Sequence, residues 1–99
     1  VKLRFEFLTV FRRKTGLESL IVEAPEGSGQ RLTVLEALAA LQNRLEHGQL
    51  KLLDRGCVGR GILIFRRTST GGLDRVFDPE GQRIVEGEIL VLSTAMEGG

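Results

Sequence analysis

The chain has 99 residues, 41% of them apolar and 27% charged. That is enough for one domain and too little for two, and it is the balance of an ordinary folded protein, not a disordered one. A net charge of +1 argues against a membrane or a nucleic acid held directly by bulk charge, and a single cysteine, Cys57, excludes an internal disulfide and fits a reducing, cytoplasmic setting.

Lys2, Arg4 and Glu6 alternate with Leu3, Phe5 and Phe7, the period-two pattern of a half-buried strand. That alternation is unlike the apolar stretch of a signal peptide. The apolar run continues to Phe11, and residues 12–16, polar and ending in Gly16, predict a hairpin turn. Residues 17–24 predict a second strand and residues 25–29 a loop. Thr33 and Glu36 have the spacing of a capping box. Leu35, Leu38, Leu41 and Leu45 then follow at helical spacing, and His47-Gly48 closes the predicted helix. Residues 49–61 are long for a connection, although Leu50, Leu52 and Leu53 have the character of residues that pack. A third strand is predicted over 61–67 and a turn over 68–72. Short extended pieces at 73–77 and 82–84 flank Asp78-Pro79-Glu80-Gly81, a type I turn by composition. Residues 85–88 turn again, and 89–93 form the last strand. No apolar run is long enough to span a bilayer.

The order strand, strand, helix, strand, short strand, strand, tail predicts a two-layer α+β domain. Ending in Gly98-Gly99, it resembles the ubiquitin-like β-grasp carriers: ubiquitin, the molybdopterin-synthase small subunit, the thiamin-biosynthesis sulfur carrier and the ubiquitin-related modifiers. The resemblance covers the whole chain. It is carried by residues 33–38 (TVLEAL), 85–90 (VEGEIL) and 92–99 (LSTAMEGG). Glu97 stands where the modifiers tend to show His, and the chain exceeds a typical small synthase subunit mainly at 49–60 and 68–73. The resemblance implies a β-grasp roll over residues 1–94, with a mixed sheet of four to five strands packed on one main helix, and a flexible tail over 95–99.

The resemblance further implies a sulfur carrier with no catalytic residue of its own. An adenylating enzyme of the ubiquitin-activating type would use ATP to convert the Gly99 carboxylate into an acyl adenylate, and a sulfur donor would then replace AMP. The carrier binds no cofactor itself. Its partners would be that enzyme and a sulfurtransferase or synthase large subunit, which passes sulfur to molybdopterin or tungstopterin, tRNA or another acceptor. The steric demand is independent of any family. A chain end that enters another protein's nucleotide pocket must be thin, which Gly98 and Gly99 permit and to which Glu97 and Met96 lead. A small misplacement there can cost about 100-fold in rate.

Residues 62–65 and 89–92 are continuously apolar, as strands covered on both faces are. If Glu88 faces solvent, Leu90 and Leu92 share its side. With Ile62 and Phe65 they would then form a patch for the partner enzyme, unless Leu50, Leu52 and Leu53 fold over that face. Cys57, near Arg55 and Arg60, is read as a plain loop or core thiol. His47 has no second histidine and no cysteine at ligand spacing, so no metal site is expected. Gly56, Gly59 and Gly61 precede a strand, not a helix, and cannot build a phosphate loop. Arg12-Arg13-Lys14 and Arg66-Arg67 read as solvated turns. Three other functions share the sequence: a modifier joined through Gly99 to lysines of target proteins, a ubiquitin-like module that only binds, and a regulatory or accessory subunit of a metabolic enzyme bound through the sheet face.

Overall fold

A computed structural model describes residues 2–23, 32–45, 52–54, 56–59, 61–84 and 87–94. The alternation at the N-terminus becomes strand β1 (Lys2–Phe7), with Leu3, Phe5 and Phe7 buried. The apolar run beyond it does not extend the strand. Residues Thr9–Thr15 form a short helix, α1, in place of the expected hairpin turn. The helical turn after Leu8 brings Phe11 back into the core that already holds Phe7. The Thr15 hydroxyl donates to the Phe11 carbonyl (2.8 Å). Gly16, at φ 73°, ends the helix by donating to the Arg12 carbonyl (2.9 Å). Arg12, Arg13 and Lys14 thus occupy a last helical turn, where cations complement the helix dipole.

Strand β2 (Ser19–Glu23) returns antiparallel to β1, with Arg4 opposite Ile21. A two-residue strand β3 (Leu32–Thr33) leads into helix α2 (Val34–Arg44). The capping box forms as expected: Glu36 N–H donates to Thr33 Oγ1 (3.1 Å) and Thr33 N–H to Glu36 Oε1 (2.8 Å). The next two helical amides are also satisfied within the chain, Val34 by the Gln82 carbonyl and Leu35 by that of Pro79. The helix ends at Arg44, with Leu45 already extended, earlier than His47-Gly48 suggested. Both of those residues lie outside the described ones, as do Leu50 and the loop at 25–29.

Strands β4 (Leu53–Asp54) and β5 (Cys57–Val58) make a small hairpin. Leu52 is fully buried in the core beneath α2, with Leu53 packed against that core, so neither covers the far side of the sheet. Gln42 of α2 holds this segment, its Oε1 accepting from the amides of Leu52 (2.7 Å) and Leu53 (2.8 Å). Strand β6 (Ile62–Arg67), the turn at 68–72 and strand β7 (Leu73–Arg75) follow. The Asp78–Gly81 turn closes as predicted, Gly81 N–H donating to the Asp78 carbonyl (3.1 Å). Strand β8 (Arg83–Ile84) pairs with β3, and β9 (Ile89–Thr94) enters the main sheet.

The sheet order is β2-β1-β9-β6-β7, with β1 and β9 parallel and the other neighbours antiparallel. Leu38 and Leu41 of α2 share one core with Leu3, Phe5, Val22, Ile64, Leu90 and Leu92. The described residues therefore build a mixed five-stranded sheet on one main helix, with the additional short helix α1.

Candidate functional site

The last strand is the central one. β9 is paired with β1 from Arg4↔Ile89 to Phe7↔Leu92 and with β6 from Arg66↔Leu90 to Ile62↔Thr94. Where β1 ends, the Leu8 amide still donates to the Leu92 carbonyl (3.0 Å), and α1 runs on beside the strand. β9 is thus held on both flanks up to the residue from which the C-terminal segment departs. Met96, Glu97, Gly98 and Gly99 lie outside the described residues. Five residues, 95–99, follow Thr94, and a fully extended stretch of that length spans at most about 18 Å.

The faces of β9 are reversed from the sequence expectation. Leu90 and Leu92 are fully buried against α2, between Phe5 and Phe7 on one side and Ile64 on the other. Ile62 packs against the same core. Of the four residues expected in the docking patch, only Phe65 lies on the face away from α2, where it stands opposite Val91. Leu90 and Leu92 do share the side of Glu88, but that side faces the helix. Glu88 lies on the helix side of the sheet, where its carboxylate sits 3.6 Å from Arg66 Nε, so a charge there does not mark the outer face.

On the outer face Val91 is fully buried, although α2 is on the other side. Its flanking residues explain this. Arg67 of β6 forms an ion pair with Glu6 of β1, reaching across the intervening β9, and Arg4 Nε stands 4.0 Å from the same carboxylate. This strap of charged side chains closes the middle of the face. Apolar exposure is displaced to its two sides, Ile21 on β2, and Leu73 with Phe77 beside Phe65. The Arg75 guanidinium lies over the rings of Phe77 (4.9 Å) and Phe65 (5.9 Å), holding the second zone together.

No family model matches the sequence, and no curated protein matches it. Solved structures do. SAMP1 from Haloferax volcanii is 20% identical with a TM-score of 0.72, over all of both chains. The solution structure of the Haloferax volcanii HVO 2177 protein gives 20% and 0.73, over all of this chain and 87% of that one. CysO, in the Amycolatopsis orientalis BexX/CysO complex, gives 22% and 0.65, over 98% of this chain and 99% of that one. The fold is the ubiquitin-like β-grasp.

Arg66 and Arg67 are strand residues, not a solvated turn; Arg66 donates to the Arg83 carbonyl on the helix side, while Arg67 takes Glu6 on the other. Cys57 is exposed on β5, beside a shallow depression lined by Leu35, Val58 and Pro79. No group of three or more potential metal ligands occurs among the described residues. No helix of the described residues is long and apolar enough to cross a membrane. The α2 N-terminus is filled by the chain's own carbonyls and by Thr33. The Gln42 clamp and the Glu6–Arg67 strap escaped the sequence reading. Glu6 and Arg67 are 61 residues apart, so local spacing carries no trace of their contact.

Proposed function

We propose that this chain is a sulfur carrier whose Gly99 carboxylate is adenylated by a partner enzyme and then converted to a thiocarboxylate. The observation that carries this reading is the position of β9: the central strand, clamped by β1 and β6, hands directly to a short segment ending in Gly98-Gly99. A central strand is a rigid base for a thin extension that must be presented to another protein's active site. The similar structures are of ubiquitin-like carrier and modifier proteins, and one was determined as a complex with a second protein, BexX.

The chemistry needs little from the carrier itself. A carboxylate is a poor electrophile. Attack of its oxygen on the α-phosphorus of ATP releases pyrophosphate and leaves AMP as the acyl leaving group. Sulfur at the oxidation level of sulfide then attacks the acyl carbon, the C–O bond to AMP breaks, and a thiocarboxylate remains. Met96, Glu97 and Gly98 would enter the partner's channel, and ATP would be held by the partner. The chain is a co-substrate in this scheme, acting in the cytoplasm, and its acceptor is a pterin, a tRNA or a comparable small-molecule or nucleic-acid target of the next enzyme.

The docking surface in this reading is the β6–β7 side of the outer face, Phe65, Leu73 and Phe77 with Arg75 laid over the rings, in place of Leu90 and Leu92. The test is AMP formation from ATP by an extract of the source cells supplied with the chain. Formation that depends on the chain and is lost on deleting Gly99 supports activation at that carboxylate. Equal activity with the deleted chain would leave a binding module as the better account. Gly99-dependent attachment to lysines would move the reading to a modifier.

A further inference from the structure

The two edges of the main sheet are built differently. β7 is three residues long and carries Asp74 and Arg75, the short charged form that discourages pairing. β2 has five residues, Ser-Leu-Ile-Val-Glu, with no lysine, proline or bulge, and its central residue Ile21 is 61% exposed. The phase of its hydrogen bonds follows from one contact. Phe7 N–H donates to the Glu18 carbonyl (2.9 Å), so with the β1–β2 register Leu20 and Val22 turn their amides and carbonyls towards β1. Ser19, Ile21 and Glu23 turn theirs outward, and among the described residues nothing pairs with them.

We propose that this edge binds the same edge of a second copy of the chain, antiparallel, about a two-fold axis at Ile21. The outward groups are arranged symmetrically about that residue. Pairing Ile21 with Ile21, and Ser19 with Glu23 of the second copy in both directions, satisfies three N–H and three C=O groups on each chain. The side-chain neighbours agree. The two Ile21 side chains meet on the outer face, each flanked by its own Arg4. Each Glu23 lies between its own Lys2 and the second copy's Ser19, whose hydroxyl can donate to the carboxylate, so no like charges stand directly opposite. Such an interface is isologous and closes at two. It joins two five-stranded sheets into one of ten. Because β9 runs antiparallel to β2, the two β9 strands run in opposite directions and their C-terminal segments leave from opposite ends. The pair would be a two-ended particle, with the C-terminal ends of its two β9 strands on opposite sides. This proposal is independent of the chemistry at Gly99.

The test is sedimentation equilibrium of the full chain under reducing conditions from about 10 μM to about 1 mM, the range of weak association, with amide hydrogen exchange in parallel. The expected result is a mass rising from one chain towards two, with protection of the Ser19, Ile21 and Glu23 amides rising alongside. Ile21→Lys should stay at one chain at every concentration with an unchanged circular dichroism spectrum, while Leu73→Lys at the other edge should associate as the native chain does. A native chain that stays single to the highest concentration would overturn the proposal. So would association indifferent to Ile21→Lys, or protection of these amides that appears only when a different protein is added.

Discussion

Leu92 is the residue at which sequence and structure part most clearly. As a member of an exposed patch it would tolerate a charge; as a fully buried core residue between Phe7 and Ile64 it does not. Leu92→Asp removes a packed side chain, worth about 2–5 kcal/mol, and forces a carboxylate into an apolar interior. Against a total stability of about 5–15 kcal/mol, the variant is expected to be largely unfolded, read by circular dichroism and urea titration. A folded Leu92→Asp would contradict the assignment of faces. Glu6 is the second test at this scale. It accepts from Arg67 across β9, and Arg67 Nε is buried without a hydrogen bond of its own. Glu6→Ala should cost about 1 kcal/mol, the usual worth of a partly exposed ion pair, and should open Val91 to solvent. Neither contact could be read from the sequence. An apolar run shows that both faces of a strand are covered, but it does not say which face meets a helix and which meets a strap of charged side chains.

At the scale of elements, the sequence was legible where a local pattern has one physical solution. Strict alternation gave β1, the Thr33–Glu36 spacing gave the start of α2, and Asp78-Pro79-Glu80-Gly81 gave its turn. It was illegible where two solutions compete. Residues 8–16 contain a turn-forming glycine after four polar residues, which suits a hairpin and a helix C-cap equally. Burial of Phe11 beside Phe7 decides for the helix. The position of Leu52 and Leu53 is settled by Gln42, a helix residue whose carbonyl oxygen takes their two amides from ten and eleven positions away. Gln42→Leu leaves those amides without their acceptor. A loss of about 1–3 kcal/mol is expected, concentrated in faster hydrogen exchange at Leu52 and Leu53 while the amides of β1 and β9 keep their protection relative to global unfolding. Uniform acceleration everywhere would mean that the hairpin and the sheet open as one unit.

At the scale of the molecule, the order of elements and the Gly-Gly ending pointed to a β-grasp, and the sheet order and the similar solved structures agree. The docking surface followed less well, because it depends on long-range partners: Arg75 over Phe65 and Phe77, and the Glu6–Arg67 pair that closes the centre of the face. On the proposed reading this domain presents Gly99 for chemistry, and intact mass reads that chemistry without an intermediary. The chain and a Gly99-deleted variant would each be incubated with ATP, a sulfide source and an extract of the source cells. A mass gain equal to one oxygen replaced by sulfur is expected, located at the C-terminal residue and absent from the variant. An unchanged mass for the full chain, in an extract shown to form thiocarboxylate on a different carrier, would contradict it.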